Sequence, residues 1–368
     1  MHQYAILLVL VMLVSVSMGM KKLVFSALLF RHGERQRYDP NFPHVHCYKH
    51  LINEGMRQLY ISGRYFRSRY VKHMELLPET YDPATIYFRS TYLSRAANSA
   101  MSFYTGLYSP EIFQPNPGQF DNVHLPIKES RKKTYSEFWT PNPPAIHTLL
   151  KDDDRLMYSY KKAVCPSLKS LKKQKWMSDR EKDIAEAYGQ ADMHAYDHVA
   201  NTPDLIKLAA HNFLNQIVDY LRLALIQNDV NVGGTKEEIL EAILTRDPAY
   251  KTYYEWRLSN PEAENLKLLV FGSHDSMVVS MINALGFKLA KRVPVASTIS
   301  FELYIDEKTK GAYVEVQLNR KRVKIPTCNG ICSLAQFVCA VNTYGTFGSD
   351  NEYLSKCNNL DLFRTNAN

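Results

Sequence analysis

Two hydrophobic runs in this chain end abruptly in polar side chains that can carry chemistry. The first, LVFSALLF, is followed directly by Arg31 and His32. The second lies in NLKLLVFGSHDS and ends at His274 and Asp275. Continuous apolar runs of this length are typical of strands buried on both faces, and the carboxyl ends of parallel strands deliver side chains to one edge of a sheet. The pattern therefore predicts a site built from strand ends.

Helical and strand patterns alternate around the first run. The segment NEGMRQLYISGRYFRSRYV places its apolar residues on one helical face, and TIYFRS then predicts a short strand that ends at Arg89. A strand, a helix and a strand in this order indicate a parallel unit. The centre of the chain is mainly helical in pattern, with one helix beginning at Thr202 and Pro203.

Strand patterns return after Pro261. A helix from about Met277 is stopped by Gly286, and ISFELYI then alternates, with Ile299, Phe301, Leu303 and Ile305 predicted to face inward and Ser300, Glu302 and Tyr304 outward. AYVEVQL would pair with it as a hairpin. We predict an α/β fold with a mostly parallel central sheet flanked by helices. Its domain would comprise residues 20–125 and 258–368, with a smaller α-helical cap inserted at 126–257.

The amino-terminal segment indicates export. Residues 1–19 contain no Asp, Glu, Lys or Arg and carry an apolar run from Ala5 to Val16, which is typical of a signal peptide cleaved near Gly19. A retained membrane anchor is the alternative, because the usual basic start is missing, but the run is short for a spanning helix. The mature protein is expected to be secreted, with no membrane span.

The chain has 368 residues and a net charge of +8, with basic runs at 131–133, 169–175 and 319–324. A solvated basic face explains such runs better than nucleic-acid binding, because no nucleic-acid module accompanies them. The segment HVHCYKH contains ligand types in His44, His46, Cys47 and His50, but its spacing fits no standard zinc pattern. We interpret it as a polar loop, with no metal.

Six cysteines in an exported chain favour disulfides. The spacing of Cys328 and Cys332 permits a local bridge, whereas Cys165 and Cys357 are too far apart in sequence to be paired by spacing alone. Cys339, in SLAQFVCAV, is expected to be a buried thiol in a helix.

The side chains at the strand ends are of the types that bind and transfer phosphate. Arginine guanidinium groups match the geometry of phosphate oxygens, a histidine can act as a nucleophile, and a carboxylic acid can protonate the leaving oxygen. Two simpler interpretations exist: Arg89 could pair with a carboxylate at the surface, and His274 could be a core histidine bonded to backbone.

The motifs LLFRHGER, FRSTYLSRAANSAM and FGSHDS resemble, in order, the three signatures of the histidine acid phosphatases. Further segments, PAIHTLLKDDDRLMYSYKKAVCPSL and CNGICSLAQF, are similar to that family as well. The resemblance implies a secreted acid phosphatase with His32 as nucleophile and Asp275 as proton donor. It further implies that the phosphoryl group is bound by four residues: Arg31, Arg35, Arg89 and His274.

The same resemblance implies two bridges, Cys165 with Cys357 and Cys328 with Cys332, and no metal or other cofactor. The implied substrate is a small phosphomonoester or a phosphorylated peptide, and a homodimer is an expectation drawn from relatives. The chain departs from the family pattern where Arg37 replaces a proline that shapes the nucleophile loop, and where Tyr92 and Ser94 replace common acidic residues.

The sequence also allows a second function of another class. The chain could be a secreted binding protein that sequesters small aromatic or amphipathic ligands with little or no catalysis, using Tyr38, Phe42 and Tyr48 after the nucleophile loop. The complete catalytic set favours the enzyme.

Overall fold

One mixed β-sheet organises the chain. The computed structural model describes residues 21–37, 49–108, 143–159, 161, 164–169, 202–260, 263, 265–287, 293–328, 331–360 and 362. Within these residues, eight strands form the sheet: β1 (Lys21–Arg31), β2 (Ile86–Ser90), β3 (Ile146–His147), β4 (Leu268–Ser273), β5 (Thr298–Asp306), β6 (Ala312–Leu318), β7 (Lys321–Arg322) and β8 (Cys332–Ser333). Their spatial order is β3-β2-β4-β1-β5-β6-β7, with β8 paired to β6.

Most helices lie between strands in the chain, and the last two follow the final strand. They are α1 (Asn53–Arg67), α2 (Ser94–Tyr108), α3 (Arg155–Tyr158), α4 (Pro203–Ile226), α5 (Lys236–Arg246), α6 (Tyr250–Leu258), α7 (Asp275–Ala284), α8 (Leu334–Ala340) and α9 (Asp350–Asn358). A π-helical turn (Ser68–His73) extends α1. None of the helices in the described ranges is long and apolar enough to span a bilayer.

The sheet is parallel in one half and antiparallel in the other. Strands β3, β2, β4 and β1 run parallel, and β4 lies between β1 and β2. The predicted parallel unit therefore exists, but its two strands meet through β4 rather than directly. The predicted hairpin of β5 and β6 forms the antiparallel half together with β7 and β8. The predicted α/β class is confirmed.

Both faces of the sheet are covered, which explains the continuous apolar runs. On one face the rings of Phe30 in β1 and Phe103 in α2 stack with centroids 5.7 Å apart. On the other face Phe213 of α4 contacts Phe271 of β4 edge to face, at 4.9 Å. Strands β1, β2 and β4 each contribute side chains to the cores on both faces, which fixes their carboxyl ends in position.

The alternation in β5 separates two cores rather than a core from solvent. The prediction that Ser300, Glu302 and Tyr304 face outward is wrong, because all three are buried. The π-helical turn covers them: Arg69 donates two hydrogen bonds to Glu302, at 2.7 and 2.5 Å, and the hydroxyl of Tyr70 donates a third at 2.8 Å. Glu302 is therefore buried as one half of an ion pair, and the periodicity of the sequence does not reveal its partner.

Helix α4 begins and α7 ends as the sequence indicates. The Thr202 hydroxyl accepts a hydrogen bond from the Leu205 amide at 3.3 Å, and Gly286 follows α7 with a φ of 88°, a left-handed conformation that favours glycine. Helix α4 packs on the sheet and shares its core. Residues 109–142 and 170–201 lie outside the described residues, so the cap at 126–257 and its boundaries stay predictions.

The structure joins Cys165 to Cys357 and Cys328 to Cys332, with Cα atoms 4.9 and 5.4 Å apart. These are the pairs that the family resemblance implies. Cys339 is exposed, so the prediction of a buried thiol is wrong: α8 turns its Phe337 and Ala340 face inward and leaves Cys339 on the other side.

Several predictions concern residues outside the described ranges. They are the signal peptide at 1–19, the aromatic residues Tyr38, Phe42 and Tyr48, the ligand types His44, His46 and Cys47, and most of the basic run at 169–175 together with all of that at 131–133.

Candidate active site

His32 stands at the carboxyl end of β1, where its backbone is held on both sides. Its amide donates to the Ser273 carbonyl at 2.9 Å, and its own carbonyl accepts from the Ala296 amide at 3.1 Å. The ring Nδ1 lies 2.7 Å from the Gly33 carbonyl oxygen. Because a carbonyl oxygen can only accept, Nδ1 carries the proton and Nε2 keeps its lone pair.

The imidazole of His32 is held neutral by its surroundings. Burial is the largest effect, and with the nearby charges of Arg95 and Arg31 it lowers the pKa of His32 to about 3. The side chain therefore offers an unprotonated nitrogen well into the acid range. An exposed histidine would be mostly protonated there.

Gly33 permits a close approach of the loop to α1. A Cβ at this position would lie 2.2 Å from the Gly55 carbonyl oxygen, and the Gly33 amide donates to the Ser99 hydroxyl of α2 at 3.1 Å. Glycine is required here because backbone meets backbone with no room for a side chain. The loop after His32 is thus fixed against both helices.

Arg31 and Asp275 face each other across the ends of β1 and β4. The Arg31 guanidinium donates to the Val293 carbonyl at 2.5 Å, and its Nη2 lies 3.7 Å from Oδ2 of Asp275. Asp275 is the first residue of α7, and its Oδ1 accepts from the Ser276 amide at 2.9 Å. The carboxyl group is therefore oriented from one side and leaves its second oxygen toward Arg31.

His274 lies beside His32, with ring centroids 5.4 Å apart. Its Nε2 is 3.0 Å from the Thr91 hydroxyl, and its Nδ1 is buried without a hydrogen-bond partner among the described residues. Burial, followed by the charge of Arg95, lowers the pKa of His274 well below its usual range. The neutral ring, with its Nε2 engaged by Thr91, therefore lies beside His32 without adding a positive charge to the site.

Five of the six residues predicted to act on phosphate line one cavity of about 240 Å³. They are Arg31, His32, Arg35, His274 and Asp275. Arg35 is buried, and its backbone forms a bridge with Leu51 that closes the nucleophile loop. The position where the family has a proline is exposed, and there Arg37 pairs with Glu34 at 3.0 Å.

Arg89, the sixth predicted residue, does not line the cavity. It is fully buried between two carboxylates, with Nη2 2.8 Å from Asp154 and Nε 3.1 Å from Asp247. Side chains alternate along a strand, so Arg89 shares the face of Tyr87, whose hydroxyl also donates to Asp247, at 3.1 Å. The geometry therefore contradicts direct phosphate binding by Arg89. It agrees with the alternative of a carboxylate partner, although the partners are two and are buried rather than at the surface.

Arg95 occupies the place expected of Arg89. It lies in the first turn of α2, is almost fully buried, and lines the cavity. The sequence held a signal for it: a cation in the first turn of a helix opposes the helix dipole. Such a residue among Ala96, Ala97 and Ser99 indicates a task beyond helix formation.

Comparison with known proteins identifies the family of this chain. The family model described as "Histidine phosphatase superfamily (branch 2)" matches residues 41–203 and 171–319, which is well over half of the chain. The chain belongs to branch 2 of the histidine phosphatase superfamily. The predicted family and the predicted enzyme class, a phosphatase, are confirmed.

The phosphatase has curated relatives along most of its length. It is 26% identical over 360 residues to the lysosomal acid phosphatase of Xenopus laevis, covering 86% of this chain and 75% of the relative. It is 26% identical over 364 residues to the prostatic acid phosphatase of Homo sapiens, covering 86% and 84%. Among solved structures, the apo phytase of Hafnia alvei matches with a TM-score of 0.48 and 14% identity, covering 88% of this chain and 97% of that one.

Opposite effects are expected from replacing the two arginines of this phosphatase. Arg95→Ala should lower kcat/KM for an aryl phosphate by about 10²-fold or more and leave thermal unfolding almost unchanged, because it removes a cavity guanidinium. Arg89→Ala should destabilise the fold by about 3–5 kcal/mol, because it leaves two buried carboxylates without their cation. Steady-state kinetics and thermal unfolding of both variants test this. If Arg95→Ala kept its activity while Arg89→Ala was stable and inactive, phosphate binding would belong to Arg89 instead of Arg95.

Proposed function

We propose that this phosphatase hydrolyses phosphate monoesters at acid pH through a phosphohistidine at His32. The observation that carries the proposal is the hydrogen bond from His32 Nδ1 to the Gly33 carbonyl, 2.7 Å long. It commits the proton to Nδ1 and leaves the lone pair of Nε2 in a cavity lined by Arg31, Arg35 and Arg95. A nucleophile among guanidinium groups suits an attack on a phosphoryl group.

The first step forms the phosphohistidine. The three guanidinium groups and His274 hold the phosphoryl oxygens, so that charge developing in the transition state is stabilised. The Nε2 lone pair of His32 forms a bond to phosphorus as the ester P–O bond breaks. Asp275, in its protonated form, transfers its proton to the departing alcohol oxygen.

The second step regenerates the enzyme. A water molecule attacks the phosphorus of the phosphohistidine, the N–P bond breaks, and the electron pair returns to Nε2 of His32. Asp275, now a carboxylate, accepts the proton that the water loses. Inorganic phosphate leaves, and Asp275 is protonated again for the next cycle.

The pH profile follows from the lowered pKa of His32, about 3. Protonation would remove the nucleophilic lone pair, so the acid limb of kcat/KM is expected near pH 3 rather than at the usual histidine value of about 6.5. Hydrolysis of p-nitrophenyl phosphate from pH 2 to 8, read as released phosphate, measures it. An enzyme that loses activity below about pH 6.5 would contradict the neutral His32.

Export is part of the proposal and rests on residues 1–19, whose composition is that of a signal peptide. The curated relatives are named as lysosomal and prostatic enzymes. The substrate is proposed to be a phosphomonoester. The binding-protein alternative is not favoured, because the family match and the grouped catalytic residues both indicate turnover.

A further inference from the structure

Thr91 directly follows β2 and carries a hydroxyl group beside the candidate active site. The residue is fully buried and is not among the described residues that line the cavity. Its backbone is held on both sides: the amide donates to the Gly272 carbonyl at 3.1 Å, and the carbonyl accepts from the Ser90 hydroxyl at 2.9 Å. The Thr91 hydroxyl therefore has a fixed position, and it can act on a substrate only through a neighbouring side chain.

The Thr91 hydroxyl contacts two side chains of the cavity. Its oxygen lies 3.0 Å from Nε2 of His274, and it also forms a hydrogen bond with Tyr158. The Tyr158 hydroxyl lies 3.5 Å from the same nitrogen of His274, which is at the limit of a hydrogen bond. Because His274 and Tyr158 both line the cavity, Thr91 connects the end of β2 to the ring beside His32.

The imidazole of His274 needs such a neighbour to fix its orientation. His274 precedes α7, and its side chain makes no capping hydrogen bond to that helix in the described part of the chain. The torsion that turns a histidine ring has broad minima, so the backbone alone does not set the ring. Of the two hydroxyl contacts to Nε2, the one from Thr91 is the shorter. We therefore expect the ring orientation to depend on Thr91.

The same hydrogen bond decides which nitrogen of His274 carries the proton. Burial lowers the pKa of His274 well below its usual range, so the neutral ring holds one proton. A hydroxyl at Nε2 can either donate to it, which places the proton on Nδ1, or accept from it. In the proposed chemistry His274 holds a phosphoryl oxygen and must donate. Since Nε2 is engaged by Thr91, the donor has to be Nδ1, and Thr91 has to donate to Nε2.

We propose that Thr91 is a positioning residue of this phosphatase, whose hydroxyl donates to Nε2 of His274, holds the ring beside His32 and keeps the ring proton on Nδ1. The inference rests on the proposed phosphatase function and deepens it, because it explains how a neutral histidine serves as a hydrogen-bond donor to phosphate. A purely structural Thr91, which only fills space in the core, would have different consequences for the variants below.

Replacement by valine removes the hydroxyl and keeps the shape of the side chain. Thr91→Val should lower kcat/KM for p-nitrophenyl phosphate by about tenfold, because the hydrogen bond that orients His274 is lost. Thr91→Ser keeps a hydroxyl and should retain at least about half of the wild-type value. The matched control is Thr85→Val. Thr85 is also fully buried, at the opposite end of β2, and its hydroxyl donates to the Asp82 carbonyl at 2.9 Å. Its replacement should leave kcat/KM unchanged, and thermal unfolding verifies that each variant is folded.

NMR measures the position of the proton directly and needs no substrate. In protein with ¹⁵N-labelled histidine, a ring nitrogen with a proton and one with a lone pair have well separated chemical shifts. The signals of His274 are those missing from the spectrum of His274→Asn. Wild-type protein and Thr91→Ser should show the proton on Nδ1. Thr91→Val should show a mixture of the two neutral forms.

The outcomes separate this proposal from the phosphatase function. A wild-type His274 with its proton on Nε2 would overturn the role of Thr91, even if no Thr91 variant folded. A folded Thr91→Val enzyme with unchanged kcat/KM would do the same. If folded Thr91→Ser lost as much kcat/KM as Thr91→Val, packing rather than the hydroxyl would explain the loss, and the proposal would fall. A wild-type protein that does not hydrolyse p-nitrophenyl phosphate would instead count against the phosphatase function, whichever nitrogen of His274 carries the proton.

Discussion

Replacing His32 with alanine is expected to lower kcat for p-nitrophenyl phosphate by at least about 10⁴-fold. The reason is that Nε2 of His32 is the nitrogen placed to form the covalent bond to phosphorus, with the tautomer set by the Gly33 carbonyl. Steady-state kinetics at acid pH measure the loss. His73→Ala, an exposed histidine in the π-helical turn, is the matched control and should keep normal activity.

Trapping of the intermediate tests the same residue by chemistry. Rapid quenching of wild-type enzyme with labelled substrate, without acid, should give a phosphoenzyme that is labile in acid and stable in base. The folded His32→Ala variant should carry no label. Label on serine or cysteine, or normal turnover by His32→Ala, would be incompatible with the phosphohistidine.

The parallel half of the fold was predictable from hydrophobic pattern alone. Strands buried on both faces give unbroken apolar runs, and β1 and β4 do so. The strands of the antiparallel half were predictable, but the burial of the second face of β5 was not. The alternation of side chains in β5 has the same period whether this face contacts water or a second core. Only tertiary packing reveals that Arg69 and Tyr70 cover Glu302.

The site was predictable where a residue lies at the tip of a strand. Arg31, His32, His274 and Asp275 follow directly from β1 and β4, and they meet in the cavity. The prediction for Arg89 failed because Arg89 is the second-last residue of β2. Successive side chains of a strand point to opposite faces, so a shift of one residue along the strand moves a side chain to the other face.

The second large effect concerns Asp275. Asp275→Asn keeps an oxygen that can accept from the Ser276 amide, a contact of 2.9 Å in the native chain, but it has no carboxylic proton to give. An alkyl alkoxide is a poor leaving group and needs that proton, whereas p-nitrophenolate leaves readily without it. We therefore expect kcat to fall by about 10²–10⁴-fold for an alkyl phosphate and by less than about tenfold for p-nitrophenyl phosphate.

The ratio of the two losses is the informative measurement, because a merely structural effect would lower both rates alike. The matched control is Asp153→Asn. Asp153 is exposed and does not line the cavity, although Lys151, two residues earlier in the chain, does. Its replacement should change neither rate. Equal losses for both substrates in Asp275→Asn would assign the carboxylate to orienting Arg31, which lies 3.7 Å away. Unchanged rates for both would place the proton donor elsewhere. A leaving-group-dependent loss is the result that identifies Asp275 as the acid, since only the proton distinguishes the two reactions.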